Sequence, residues 1–226
     1  FSYLAEEVNL NLVSPIKRDY DINYQVRCFY QFLNKGYTSC KGSERGAEIV
    51  EYGPNIIQQY ASADVVLLAS DWANTRKNMI SLSEIITSIL EDGKKVIVVS
   101  NTPQSKTFGV RKLNRFDEFV IENNFILPTR YELYALENEF FFDNENGVVT
   151  DVNNELRGLV DSFSDNNVLF KERSDFMCDQ NEKRCFLYFP KDKAKVLWDY
   201  GHITTEGARI FGRLITEKRW LSDLPK

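Results

Sequence analysis

The chain has 226 residues, 43% hydrophobic and 27% charged, with a formal net charge of −5. That balance excludes a disordered chain and allows one large α/β domain or two small ones, with a core that needs no metal or cross-link to form. Charges of both signs are mixed without a basic block, so nucleic-acid binding is not expected.

Apolar stretches such as Val65–Ala69 and Val96–Val99 fall well short of the roughly 18–20 residues of a bilayer span. The first residues lack the basic flank and apolar run of a signal peptide. As given, the sequence reads as a soluble domain, one that can have been cut from a longer membrane-attached chain.

In chain order, Asn9–Val13 is a weak strand candidate and Gly46–Tyr60 carries a helical pattern. Asp64–Ala69 and Lys95–Ser100 are short, β-branched and nearly continuous in apolar residues, the pattern of parallel strands buried on both faces. Between them lies a helix over Asn78–Glu91, stopped by Asp92-Gly93. Further helices are expected over Arg111–Glu122, Val152–Phe163 and Thr205–Glu217, and weaker strands at Asn167–Phe170 and Lys195–Trp198. This alternation predicts a three-layer α/β/α sandwich with a parallel sheet of about five strands, flavodoxin-like in order.

Phe125–Asn146 reads instead as a long excursion. It interleaves Tyr131, Tyr134, Phe140, Phe141 and Phe142 with acidic residues. Its aromatics either pack on the core or form a lid or sugar-stacking wall over a site.

Four cysteines occur as two local pairs, Cys28/Cys40 and Cys178/Cys185. Three connectivities are possible, and proximity favours 28–40 and 178–185, each worth about 2.5–3 kcal/mol by loop closure. Free buried thiols are the alternative. A zinc site lacks the close cysteine spacing and histidine partners it needs. Disulfides imply a periplasmic or extracellular compartment.

In open α/β sheets the site lies beyond the carboxyl ends of the strands, which directs attention to 69–75, 100–105 and the turn entering the last helix. That turn holds the chain's single histidine, His202, three residues after Asp199. An aspartate so placed can accept from imidazole Nδ1–H and leave Nε2 to take a proton from a hydroxyl nucleophile. Spacing alone also allows a turn aspartate and a lone surface or core histidine near a helix cap formed by Thr204 or Thr205.

The wider block, Asp199-Tyr-Gly-His202-Ile-Thr-Thr-Glu-Gly207-Ala208, resembles the last motif of the SGNH serine hydrolases. It is most similar to the SGNH domains fused to membrane acyltransferases of the type-three family. Ala63–Ala73, with its small-x-Trp ending, Lys95–Pro103 with its Thr-Pro turn, Asn153–Arg157, and Phe176–Cys178 with Cys185 fit the same subgroup in order.

The resemblance implies one SGNH-like domain over residues 1–226. It also implies a catalytic pair of His202 and Asp199, no cofactor or metal, and a membrane-embedded acyltransferase partner domain. The family's nucleophile is the serine of a Gly-Asp-Ser block that closes the first strand, and no Gly-Asp-Ser occurs here. Phe1–Val8 looks like the helix after that block, so the first strand and its serine are expected upstream of Phe1. The Gly-x-Asn-Asp oxyanion block is also absent, and Ser70-Asp-Trp-Ala-Asn74 stands in its place. Ser70 and Asn74 can stabilise an oxyanion or be ordinary loop polars, and Trp72 can be core or substrate wall.

The implied activity is O-acyl transfer, with acetyl as the expected group, from an acyl donor to hydroxyls of a cell-surface glycan through a serine acyl-enzyme. Its setting is the periplasmic or extracellular face of a membrane. The alternatives are an esterase of the same fold and a glycan-binding domain that has lost its serine.

Overall fold

The computed structural model describes residues 39–41, 49–51, 58, 60–70, 72, 79–105, 113–145, 147–164 and 166–222. The chain divides into two compact units. One takes its described residues from Val13–Asn101 and Val152–Lys171, the other from Thr102–Asp151 and Glu172–Lys226.

The first unit is built on a parallel sheet, as the strand patterns require. Strands β3 (Val65–Ala69), β4 (Lys95–Val99) and β5 (Val168–Lys171) lie in that order, with Val66 paired to Val96 and Val96 to Val168. Val96 through Val99 are at most 1% exposed, so the central strand is covered on both faces. Helix α1 (Met79–Glu91) presents Leu82, Ile85, Ile86 and Ile89, one face at helical spacing, to this core. Helix α4 (Val148–Asp161) adds Val152, Leu156 and Val160. Each fully buried aliphatic here is worth about 1.5–3 kcal/mol over exposure.

Helix α1 ends at the expected place. Gly93 adopts φ +74, where its N–H reaches Leu90 and the N–H of Lys94 reaches Ile89. A side chain at Gly93 would be strained in that conformation.

This α/β architecture is the one expected, with three strands of the parallel sheet among the described residues. Asn9–Val13 lies outside them. Several local expectations are corrected, among them the helix expected over Arg111–Glu122, which begins at Arg115 with Asn114 as its cap. Within Gly46–Tyr60, Ile49–Glu51 is not helical but forms strand β2, antiparallel to β1 (Ser39–Lys41). Ile49 and Val50 are β-branched and suit a pleat once a partner strand is present, which local periodicity cannot reveal. Lys195–Trp198 does not join the parallel sheet. Ala194–Lys195 (β9) pairs antiparallel with Tyr188–Phe189 (β8), and Leu197 bridges Ile203.

The second unit contains α2 (Arg115–Glu122), α3 (Arg130–Glu145), the short α5 (Ser174–Met177), the hairpins β6–β7 (Cys178–Asp179, Arg184–Cys185) and β8–β9, and α6 (Thr205–Glu217). The span read as an excursion is therefore mostly helix. In α3, Leu133, Glu137, Phe140 and Phe141 are buried at i, i+4, i+7 and i+8, while Tyr131 is 84% exposed. Phe176 meets Phe211 of α6 and Trp220 edge-on, at 5.6 and 5.0 Å between ring centres. Cys178 and Cys185, opposite one another in the β6–β7 hairpin, are joined by a disulfide. The Cys28–Cys40 pairing lies outside the described residues.

Candidate active site

The segment between β9 and α6 is fixed from both ends. Thr204 caps α6: its Oγ1 accepts the N–H of Gly207 at 3.0 Å and donates to the Lys195 carbonyl at 2.6 Å. Gly207 is required by contact, since a Cβ there would stand 2.6 Å from the Val196 carbonyl oxygen. That explains the Thr-x-x-Gly spacing of the motif as a cap pressed against the preceding strand. The turn is then closed by the N–H of Trp198 donating to the His202 carbonyl at 2.6 Å.

Inside this turn the Asp199 carboxylate gathers three donors. It accepts the backbone N–H groups of Gly201 at 3.1 Å and His202 at 3.0 Å, and His202 Nδ1 lies 2.8 Å from Oδ2. Burial pushes the carboxyl upward, but these N–H groups and the nearby imidazole outweigh it and hold Asp199 below the ordinary aspartate value. A carboxylate facing Nδ1 assigns the neutral ring its Nδ1–H tautomer, leaving Nε2 as the acceptor. Nε2 has no partner among the described residues, and the His202 side chain is 70% exposed. The arrangement can take a proton from a hydroxyl and return it to a leaving group.

Residues outside the motif hold this turn in place. Asn114, fully buried, donates from Nδ2 to the carbonyls of Asp199 at 3.0 Å and Leu197 at 3.4 Å. Lys195 Nζ donates to the Trp198 carbonyl while pairing with Asp117. The N–H of Ser105 donates to the Tyr200 carbonyl at 3.0 Å, and a Cβ on Gly201 would press on the Gln104 side chain at 3.1 Å. Sequence reasoning named segment 100–105 for the site, and this part of it does meet the turn. Asn144, near the end of α3, accepts from the N–H of Gln104 at 3.2 Å.

Two aromatic residues belong to the same turn as His202. The Tyr200 ring meets the imidazole at 5.6 Å, and Trp198, paired opposite His202 across the turn, is 74% exposed. The described tryptophans differ sharply. Trp72 is 4% exposed and donates from its indole to the Val99 carbonyl at 2.7 Å, so it sits in the core of the sheet unit. Trp220 is also buried and donates to the Glu172 carbonyl. Trp198 was missed as a candidate because it was read only as the end of a strand. Ser70 is half-buried at the carboxyl end of β3, and Asn74 lies outside the described residues. Among the described residues, no group of three His, Cys, Asp or Glu side chains is placed to hold a metal. No helix described is long and apolar enough to cross a membrane.

A family model described as an SGNH domain (fused to AT3 domains) matches residues 54–217, most of the chain and all of the turn. The chain belongs to this SGNH family. It therefore has the hydrolase fold of a group with acyltransferase or esterase-like roles, whose members are described as fused to an AT3 membrane acyltransferase domain. No curated protein and no solved structure matches it. Within the SGNH domain, Asp199, His202, Cys178 and Cys185 all fall in the matched region, as do Ser70, Trp72 and Asn74.

Proposed function

We propose that this SGNH domain is an O-acyltransferase that moves an acyl group, acetyl in the simplest case, onto hydroxyls of a cell-surface glycan. The observation that carries the reading is the Asp199–His202 pair, with Nδ1 held at 2.8 Å by a carboxylate and Nε2 left facing outward.

His202 Nε2 takes the proton of a seryl hydroxyl as that oxygen attacks the donor's acyl carbon. The bond between acyl and donor breaks, and the imidazolium protonates the leaving group. In the second half, Nε2 deprotonates the glycan hydroxyl, which attacks the acyl-serine. The serine oxygen leaves with the proton from the imidazolium. Asp199 keeps the tautomer and stabilises the positive ring in both halves.

The serine in this reading is that of the family's Gly-Asp-Ser block, which these 226 residues do not contain. Ser70 and Asn74, with backbone N–H groups beside them, are the oxyanion candidates. The exposure of Trp198, whose N–H bonds the His202 carbonyl, supports a sugar acceptor, since an indole plane suits the apolar face of a pyranose. The steps as written need no cofactor. The Cys178–Cys185 bridge supports an oxidising compartment, periplasmic or extracellular, where the glycan also lies.

The test is to supply the full-length protein with an acetyl donor and purified surface polysaccharide. The reading expects an acetylated serine by mass spectrometry and new O-acetyl groups on the glycan. Release of free acetate alone would identify an esterase, and no acyl-serine at all would identify a binding domain.

A further inference from the structure

We propose that Asn114 is a positioning residue for the Asp199–His202 pair, a role that rests on the acyl-transfer reading for its effect on turnover. The turn has little regular structure, yet four successive carbonyls, from Leu197 to Tyr200, each accept a hydrogen bond. Asn114 supplies those of Leu197 and Asp199, Lys195 that of Trp198, and Ser105 that of Tyr200. Half of this support comes from one side chain 83 and 85 residues away in sequence.

The amide of Asn114 has only one workable orientation. As N-cap of α2, its Oδ1 accepts the N–H of Asp117 at 3.0 Å. A flipped amide would set its NH2 group against that N–H and its oxygen against two carbonyls. The helix cap therefore aims Nδ2 at the turn, and its two protons match the two oxygens. With the Asp199 carbonyl fixed from one side, the carboxylate is fixed on the other by Gly201, His202 and the imidazole. Asn114 is 0% exposed, so water does not replace it at these carbonyls.

Asn114→Ser separates the two duties. Serine caps a helix about as well as asparagine, but its hydroxyl is too short to span to Asp199. Asn114→Asp is the second variant, keeping the cap oxygen and the volume while losing both donors.

His202 is the single histidine of these 226 residues, so its imidazole nitrogen signals, assigned by their loss in His202→Ala protein, report the pair. In the intact wild-type protein with 15N-labelled histidine, the neutral ring is expected as one Nδ1–H tautomer with a slowly exchanging proton. Folded Asn114→Ser or Asn114→Asp protein should show mixed tautomers and fast exchange. Its kcat for acyl transfer should fall by about 10–100-fold, the scale of misplacing a catalytic group by an ångström, with the acceptor KM close to wild type.

An unchanged Nδ1–H signal together with wild-type kcat in either folded variant overturns the proposal. Should both variants unfold, the wild-type Asn114 side-chain amide decides: protected protons support the clamp, and protons exchanging as in a free amide overturn it. Normal turnover by folded His202→Ala protein would instead remove the acyl-transfer reading, while tautomer mixing in Asn114→Ser would still establish the clamp.

Discussion

The carboxylate of Glu137, 1% exposed, accepts the backbone N–H of Leu187 at 3.0 Å, 50 residues further along the chain. Hydrogen bonds continue from there: the Leu187 carbonyl accepts from Val196 at 2.9 Å, and the Val196 carbonyl accepts from Thr204 at 2.8 Å. A buried acid in α3 is thus connected to the residue that caps α6 beside His202.

Burial raises the Glu137 carboxyl above its ordinary value, opposed by the N–H groups of Leu187 and Tyr188 and by Arg184. A carboxyl raised on folding binds its proton more readily in the folded state. Its contribution therefore falls as pH rises from the unfolded value to the folded one. Glu137→Gln, which keeps an oxygen for Leu187, should flatten that part of the pH profile of thermal stability. Glu137→Ala should cost about 2–4 kcal/mol, because it leaves buried N–H groups without an acceptor. Thermal melts between pH 4 and 8 check both.

Asp199 has the opposite sign. Its folded-state value lies below the ordinary aspartate value, so its contribution is fully present above the unfolded value and is lost as pH falls through the folded one. On acidification the wild type should lose stability faster than Asp199→Asn. Carbonyl-carbon NMR titration should place the Asp199 midpoint below that of a free aspartate in wild type and move it upward in His202→Ala, which loses the ring but keeps the backbone bonds. An unshifted midpoint would mean that the imidazole does not act on the carboxylate.

Trp198→Ala should raise the KM for the glycan acceptor about 2–10-fold, the size of one aromatic contact, and leave acylation by a small acetyl ester unchanged. Equal loss in both half-reactions would show that the indole supports the turn rather than the sugar.

Cys178–Cys185 closes a short loop, a sequence separation of 7, and its removal should cost about 2.5 kcal/mol by loop entropy. Non-reducing peptide mapping should recover this bridge and a separate Cys28–Cys40 peptide. Free thiols at all four positions, or a bridge between the two pairs, would contradict the local pairing.

The sheet was legible because its signal is local. Val65–Ala69 and Lys95–Val99 are continuous apolar runs, and α6 begins with a threonine cap and keeps helical spacing to Glu217. Helix α3 was not, because Glu137 occupies a core position and breaks the apolar pattern of Leu133, Phe140 and Phe141. Its acidic side chain is tolerated there only because Leu187 and Arg184 lie opposite, which the sequence does not display. The same holds at the site. Asp199 and His202 are three residues apart and visible together, whereas Asn114 reaches them from 85 residues away and falls inside the helix expected over Arg111–Glu122. Trp198 was hidden by its setting in an apolar run, and only its exposure sets it apart from Trp72.

The most direct measurement of the central claim is the acyl-transfer kcat of His202→Ala in full-length protein that carries its Gly-Asp-Ser serine. The account predicts a loss of several orders of magnitude, about 10^4-fold or more, in protein that remains folded and keeps the Cys178–Cys185 bridge. Asp199→Asn should be severely impaired through the wrong tautomer. Near-normal turnover by folded His202→Ala protein would contradict the account, because the proton would then be moved by some other group.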